Sequence, residues 1–262
     1  MKRFLALVIM LALLCTALAS CVMGSDIERV NNAGKIVVGI TDYEPMDFKD
    51  EDGKWIGFDA ELAEQFAKEL GVECVFIEIE WKNKVTEIKS GEIDLIWNGM
   101  TASDELGKQI DFSTAYAKNA QVVVVKKGST ITKDDLAELS IAVETGSAGA
   151  TVADETINPK KVNKVKKQLD ALNEVLAGTS DAAVIDLTMA QSKLGKGNFK
   201  DLQLVDGAQF NDEVFSVGLR KGSDLKALLD EFLAEKYEDG TMKALSEKYD
   251  DAIVINDKAF SK

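Results

Sequence analysis

The chain has 262 residues, a net charge of −14 at neutral pH, three cysteines and no histidine. The acidity excludes a basic face for nucleic acid, and it reads as solubility and weak self-repulsion rather than as a statement about a ligand. Without histidine there is no Ser-His-Asp or Cys-His triad, no ordinary proton shuttle near neutrality and no imidazole for zinc, and neither a metal nor a cofactor is expected.

The chain opens with Lys2 and Arg3, an apolar run from Phe4 to Leu14, then Leu18-Ala19-Ser20-Cys21. Charge, a short apolar core and small residues together read as a secretion signal. The ending resembles a bacterial lipobox, whose cysteine thiol accepts a diacylglycerol. Residues 1–20 are then a lipoprotein signal peptide. Residues 21–33 form a lipidated N-terminus and tether, in which Ile27 and Val30 hint at a short helix stopped by Gly34. Buried acyl CH₂ groups at about 0.8 kcal/mol each hold a soluble domain on a membrane. An ordinary cleaved signal is one alternative. A spanning helix is another, for which the run is short.

At roughly 150 residues per domain the remainder suggests two smallish lobes. A strand is expected over Lys35 to Ile40, and a hairpin around Asp52-Gly53, where glycine supplies the positive φ such turns need. Phe58, Leu62, Phe66 and Leu70 recur at helical spacing, with Asp59 as the expected N-cap and Gly71 as the stop. The next strand alternates, with Val75, Ile77, Ile79 and Trp81 on one face. Cys74 in this strand has no partner for an internal disulfide and reads as core.

A unit then appears twice. Val85 and Ile88 mark a helix stopped at Gly91 and followed by Asp94-Leu95-Ile96-Trp97. Leu169, Leu172, Val175 and Leu176 mark another, stopped at Gly178 and followed by Asp181 and the apolar run Ala182 to Ile185. Helices alternating with strands imply α/β lobes with largely parallel sheets. Two further strands, Gln121 to Val125 and Phe215 to Leu219, bracket a region that looks inserted, so lobe 1 is expected over 34–124 plus 217–262 and lobe 2 over 125–216. Two crossings between lobes make a two-strand hinge and a cleft suited to closing on a ligand. The alternative is two strands of a single sheet.

The stretches "IVVGITDYEPMDF", "WIGFDAELAEQFAKELG" and "EIDLIWNGMTASDELGKQIDFSTAYAKNAQVVVVKKG", followed by "IAVETGSAG", "AAVIDLTMAQ" and "FSVGLRKGSDL", resemble the solute-binding proteins of polar amino-acid ABC transporters. The resemblance implies a two-lobe type II periplasmic-binding fold, a small-molecule ligand in the cleft, an ABC permease and ATPase as partners, and a monomer outside the cytoplasm. A lipid anchor on such a protein suits a Gram-positive-like envelope.

By position the resemblance assigns the ligand to Asp42, Tyr43, Trp81, Asn98, Gly99, Met100, Thr101, Ser147, Ala148 and Asp186. The chemistry suits: Tyr43 and Trp81 present flat faces that exclude water, and Asn98-Gly99-Met100-Thr101 sits at the carboxyl end of a strand, where open α/β sheets collect ligands. Gly146-Ser147-Ala148-Gly149 opens a helix whose free N–H groups favour an anion. Asp186 ends an apolar strand and needs a cationic partner. Each has a bland counterpart: Asp42 as a turn-former before Pro45, Trp81 as core, Thr101 and Asp186 as helix caps. One departure stands out, since Leu106 occupies the place where the family carries a carboxylate-binding arginine. An enzyme on the same fold, a dehydratase using cleft carboxylates such as Asp42 or Glu44, and a sensor module without a transporter are the rival functions.

Overall fold

The computed structural model describes residues 24–261; the signal segment and Cys21 lie outside the described residues. Helix α1 (Asp26–Ala33) is closed at both ends, Ser25 Oγ accepting the Glu28 N–H at 3.0 Å and Gly34 turning left-handed at φ 65°. It is not a tether. Val30 is buried, and the Asp26 carboxylate accepts from Arg220 Nη2 at 2.7 Å, so the segment is packed onto the body.

The body continues with β1 (Lys35–Ile40), a hairpin of β2 (Phe48–Lys49) and β3 (Trp55–Ile56), α2 (Phe58–Leu70), β4 (Glu73–Glu78), α3 (Lys84–Ser90), β5 (Leu95–Ile96), the single turn α4 (Asp104–Gly107) and β6 (Asp111–Phe112). Then come β7 (Ala117–Lys126), β8 (Ser140–Glu144), α5 (Ala148–Thr151), β9 (Lys161–Val165), α6 (Gln168–Ala177), β10 (Ala182–Asp186), α7 (Leu187–Lys193) and β11 (Leu202–Phe215). The chain closes with β12 (Gly218–Leu219), α8 (Leu225–Glu238), α9 (Thr241–Lys248), β13 (Val254–Ile255) and α10 (Asp257–Phe260).

Two sheets result, ordered β4-β1-β5-β12-β6 and β11-β7-β10-β8-β9, with β13 added to β7. Each has a parallel centre made by the repeated unit, and the repeat has a physical reason. Asp94 donates its N–H to the Val37 carbonyl at 2.7 Å while its carboxylate accepts the Val37 N–H at 2.9 Å. Asp181 does the same to Ser140 at 2.8 Å for both bonds. The aspartate therefore clamps the neighbouring parallel strand at two points and satisfies backbone groups the ladder leaves open.

Helix α2 lays Phe58, Leu62 and Phe66 against the first sheet, with Phe66 meeting Trp97 and Phe232 at ring distances of 6.3 and 5.2 Å. Gly71 stops it as expected, its N–H returning to Ala67 and Lys68. Asp59 is not its cap. Gly57 holds that position, and Asp59 is buried, its Oδ2 accepting from the Gly99 N–H at 2.6 Å and the Tyr116 hydroxyl at 2.8 Å. Strand β4 stops at Glu78, where its partner β1 ends at Ile40, so Trp81 opens a tight turn rather than ending a strand. As an edge strand β4 leaves Ile77 exposed.

The expected lobe boundary at 124/125 falls inside β7, which pairs with β11 along its length. The chain changes sheet instead between β6 and β7 and between β11 and β12, and β13 at the C-terminal end joins the second sheet through Ala117 and Lys118.

Beside Asp59, Asp47 is also fully buried, and its Oδ2 accepts from Asn98 Nδ2 at 2.6 Å. Burial pushes the Asp59 carboxyl up to about 7, and burial plus the Asp59 charge pushes Asp47 well above its usual range. A folded value above the free one means that the stabilising contribution is complete at acid pH and is lost as pH rises from 3.8 to about 7. Melting temperature should therefore fall over that window, and Asp59→Asn should flatten the slope. An equally steep fall in the variant would show that this carboxyl does not set it.

Candidate functional site

A cavity of about 390 Å³ lies between the two sheets' carboxyl ends, at the small end of the range for ligand pockets. Of the residues expected at a site, Tyr43, Trp81, Asn98, Gly99, Met100 and Thr101 line it from the first lobe, and Ser147, Ala148 and Asp186 from the second. Asp42 does not line it. The loop at this point is pinned by Tyr43 N–H to Asp47 O at 2.7 Å, and it is the tyrosine that turns inward while Asp42 stays half-buried beside it.

Residues 98–101 form the floor, and most of their polar groups are spent on the protein. The Asn98 side chain accepts from Thr41 N–H at 3.1 Å and Thr41 Oγ1 at 2.7 Å, and donates to Thr41 O at 3.1 Å as well as to Asp47. Gly99 stands at φ 53°, and a Cβ there would lie 2.6 Å from Tyr43 Cε1, so only glycine lets the ring lie across this strand end. The Met100 carbonyl accepts from Ser216 N–H at 3.0 Å. Thr101 Oγ1 donates to Glu213 Oε2 at 3.0 Å and caps nothing; Ser103 caps α4 instead.

On the opposite wall Asp186 ends β10 and is buried. Its carboxylate accepts from Asn119 Nδ2 and Gln121 Nε2, each at 2.6 Å, and from Gln168 Nε2, while Gln168 Oε1 takes the Asp186 N–H at 2.8 Å. It makes no side-chain cap to α7. Glu213 on β11 shares Gln121 Nε2, at 2.8 Å. These partners are neutral amides, so the negative charge is dispersed without being cancelled. Burial raises the Asp186 carboxyl, and burial with the Asp186 charge raises Glu213. Glu144, at the end of β8, is pushed up to about 8 by burial and by Asp186. Ser147 Oγ accepts the Ala150 N–H at 3.1 Å and so caps α5.

Lys84 bridges the lobes. Its ammonium donates to Gly146 O at 2.8 Å and Trp81 O at 3.3 Å and lies 4.6 Å above the Trp81 ring; burial lowers it to about 8. Further out, Lys167 meets Glu78 at 2.6 Å, Lys166 meets Glu80 at 3.5 Å, and Lys193 pairs with Glu44, all from second lobe to first. Glu144 carries the same sequence signal as Asp186, an acid closing an apolar strand, and was legible by that rule. Lys84 and Glu213 carry none, because only the meeting of the lobes buries them.

A family model described as bacterial extracellular solute-binding proteins, family 3, matches residues 36–252. The L-cystine-binding protein TcyJ of Escherichia coli (strain K12) is 34% identical over 228 residues, 85% of each chain. The arginine-binding extracellular protein ArtP of Bacillus subtilis (strain 168) is 30% identical over 259 residues, covering 95% of this chain and 98% of its own. Among solved structures, the ancestral amino acid-binding protein AncCDT-1, a precursor of cyclohexadienyl dehydratase, superposes with a TM-score of 0.80 at 31% identity over 86% of this chain and 99% of that one.

Replacing Lys84 by methionine removes the ammonium that ties Trp81 to Gly146. Small-angle scattering of the ligand-free variant should report a larger radius of gyration than the parent, and an unchanged radius would mean that this bridge does not hold the lobes together.

Proposed function

The chain belongs to the bacterial extracellular solute-binding proteins of family 3, and on that premise we propose that it is a lipid-anchored receptor outside the cytoplasm. It captures a small polar ligand bearing an ammonium group and hands it to an ABC permease driven by an ATPase. The observation that carries the reading is the cavity between two lobes with Asp186 buried in its wall and, among the described residues, no cation paired with it. Relatives named for cystine and arginine make amino acids the first solutes to test.

In this reading Asp186 takes the ammonium, Tyr43 and Trp81 cover the ligand, residues 98–101 form its floor, and the N–H groups at Ser147 and Ala148 face any anionic end. No bond is broken. The ligand acts through its higher affinity for the closed form, and closure presents the surface a permease recognises. Cys21 carries the acyl chains, as its lipobox-like setting suggests, and the protein works as a monomer.

A dehydratase-like enzyme is the second reading, favoured by the likeness to AncCDT-1 and by a cleft acid, Glu144, that holds a proton near neutrality. Turnover of a prephenate-like acid would decide for it.

A thermal-shift screen against amino acids, small amines and dicarboxylates tests the receptor. A ligand at ~1,000 times its Kd adds about 4 kcal/mol of stability, several degrees for a chain of this size, and silence from every solute would sink the reading. Cys21→Ser should move the protein from the membrane fraction to the soluble fraction of expressing cells, and retention in the membrane would remove the lipid anchor.

A further inference from the structure

The charges around the cavity do not balance. Asp186, Glu213 and Glu144 line it from the second lobe, and Glu155 joins them at the mouth. Among the described lining residues the only cation is Lys84, and its ammonium is already given to the Gly146 and Trp81 carbonyls and to the face of the Trp81 ring. Among the described lining residues no second lysine or arginine is present to meet a carboxylate. Leu106 lines the wall of the first lobe with an apolar surface.

The remaining candidate for an anion is the start of α5, and it is poorly suited. The helix passes after one turn into a π-helical stretch, Val152–Ile157, one of its leading N–H groups is taken by Ser147 Oγ, and Glu144 and Glu155 flank its first turn in sequence. A carboxylate placed there would share the cavity with Asp186, Glu213 and Glu155, while Glu144, raised to about 8, offers it a proton rather than a charge. The Tyr43 hydroxyl, in a side chain 3% exposed, is buried in the same wall beside the Asp186 carboxylate, whose charge it helps to hold, and its oxygen keeps a free lone pair. It is a neutral oxygen able to accept from an ammonium, and an aromatic surface, Trp81, stands near to cover an alkyl chain.

We propose that the ligand is a small organic amine without a carboxylate, a diamine or guanidino-amine, whose positive ends lie among Asp186, Glu213, Glu144 and the Tyr43 hydroxyl. This narrows the ligand on the assumption that the receptor reading holds. The unbalanced acids make the cleft a receptacle for net positive charge.

Calorimetric titration of the full chain with matched pairs, cadaverine and lysine, putrescine and ornithine, agmatine and arginine, varies the carboxylate alone. In at least one pair the amine should bind about tenfold or more tightly than its amino acid. Leu106→Arg supplies the missing cation and should shift that ratio by about tenfold or more toward the amino acid. Glu213→Gln should weaken the amine while leaving the melting temperature close to that of the parent. Tighter binding of the amino acid in every pair, or of a neutral amino acid over all six probes, overturns the inference and leaves the receptor intact. Failure of every amine and every amino acid to bind overturns both.

Discussion

Everything the cleft does hangs on two chain crossings that are hydrogen-bonded to each other. Ser113 donates its N–H to Val217 O and accepts the Val217 N–H on its hydroxyl, both at 2.9 Å, and Tyr116 N–H reaches Phe215 O at 3.0 Å. The same segment is fastened to the first lobe at two points. Ser216 takes the Met100 carbonyl, fixing the floor of the cavity, and the Tyr116 hydroxyl bonds Asp59, fixing α2 beneath it. A change in the angle between lobes therefore occurs against a rigid floor, with the second wall as the moving part.

Apart from Asp47 and Asp59, whose carboxyls burial raises, two treatments of buried acids contrast. Within the first lobe Asp26 and Asp94 meet Arg220, whose guanidinium also donates to Ile88 O and Ile93 O, so charge and hydrogen bonds are both satisfied. In the cleft Asp186 meets Asn119, Gln121 and Gln168, which satisfy its lone pairs and leave its charge. A buried carboxylate surrounded by amides is geometrically complete and electrostatically unfinished. The first arrangement makes a fixed structure and the second leaves a charge that a cation would complete.

Much of this was legible in the sequence. The stripe of α2, its glycine stop, the duplicated helix-glycine-aspartate-strand unit and the position of Asp186 at a strand end follow from periodicity and local chemistry, whereas its assignment to a ligand comes from the family resemblance. Asp59 was misread because an acid in a first helical turn usually caps it, whereas here Gly57 leaves the cap position to backbone and the carboxylate turns inward. Trp81 was placed on a strand because the apolar alternation continues for three residues beyond Glu78, where pairing with β1 ends. The 124/125 boundary failed because β7 is one continuous strand from Ala117 to Lys126, paired with β11 across two register shifts, and a run of β-branched residues does not mark where its sheet begins. Lys84 and Glu213 are defined by contact between segments far apart in the chain, which no local pattern encodes.

The rim pairs share a polarity: in Glu78–Lys167, Glu80–Lys166 and Glu44–Lys193 the acid belongs to the first lobe and the lysine to the second. Pairs so exposed would not hold two separate proteins together. Across a double tether, though, each rim meets the other at a high effective concentration, and weak contacts that act together become intramolecular and multivalent. The rims form a self-complementary pair kept within reach by the double crossing, and because exposed pairs are screened by salt, rising ionic strength weakens the attraction between them.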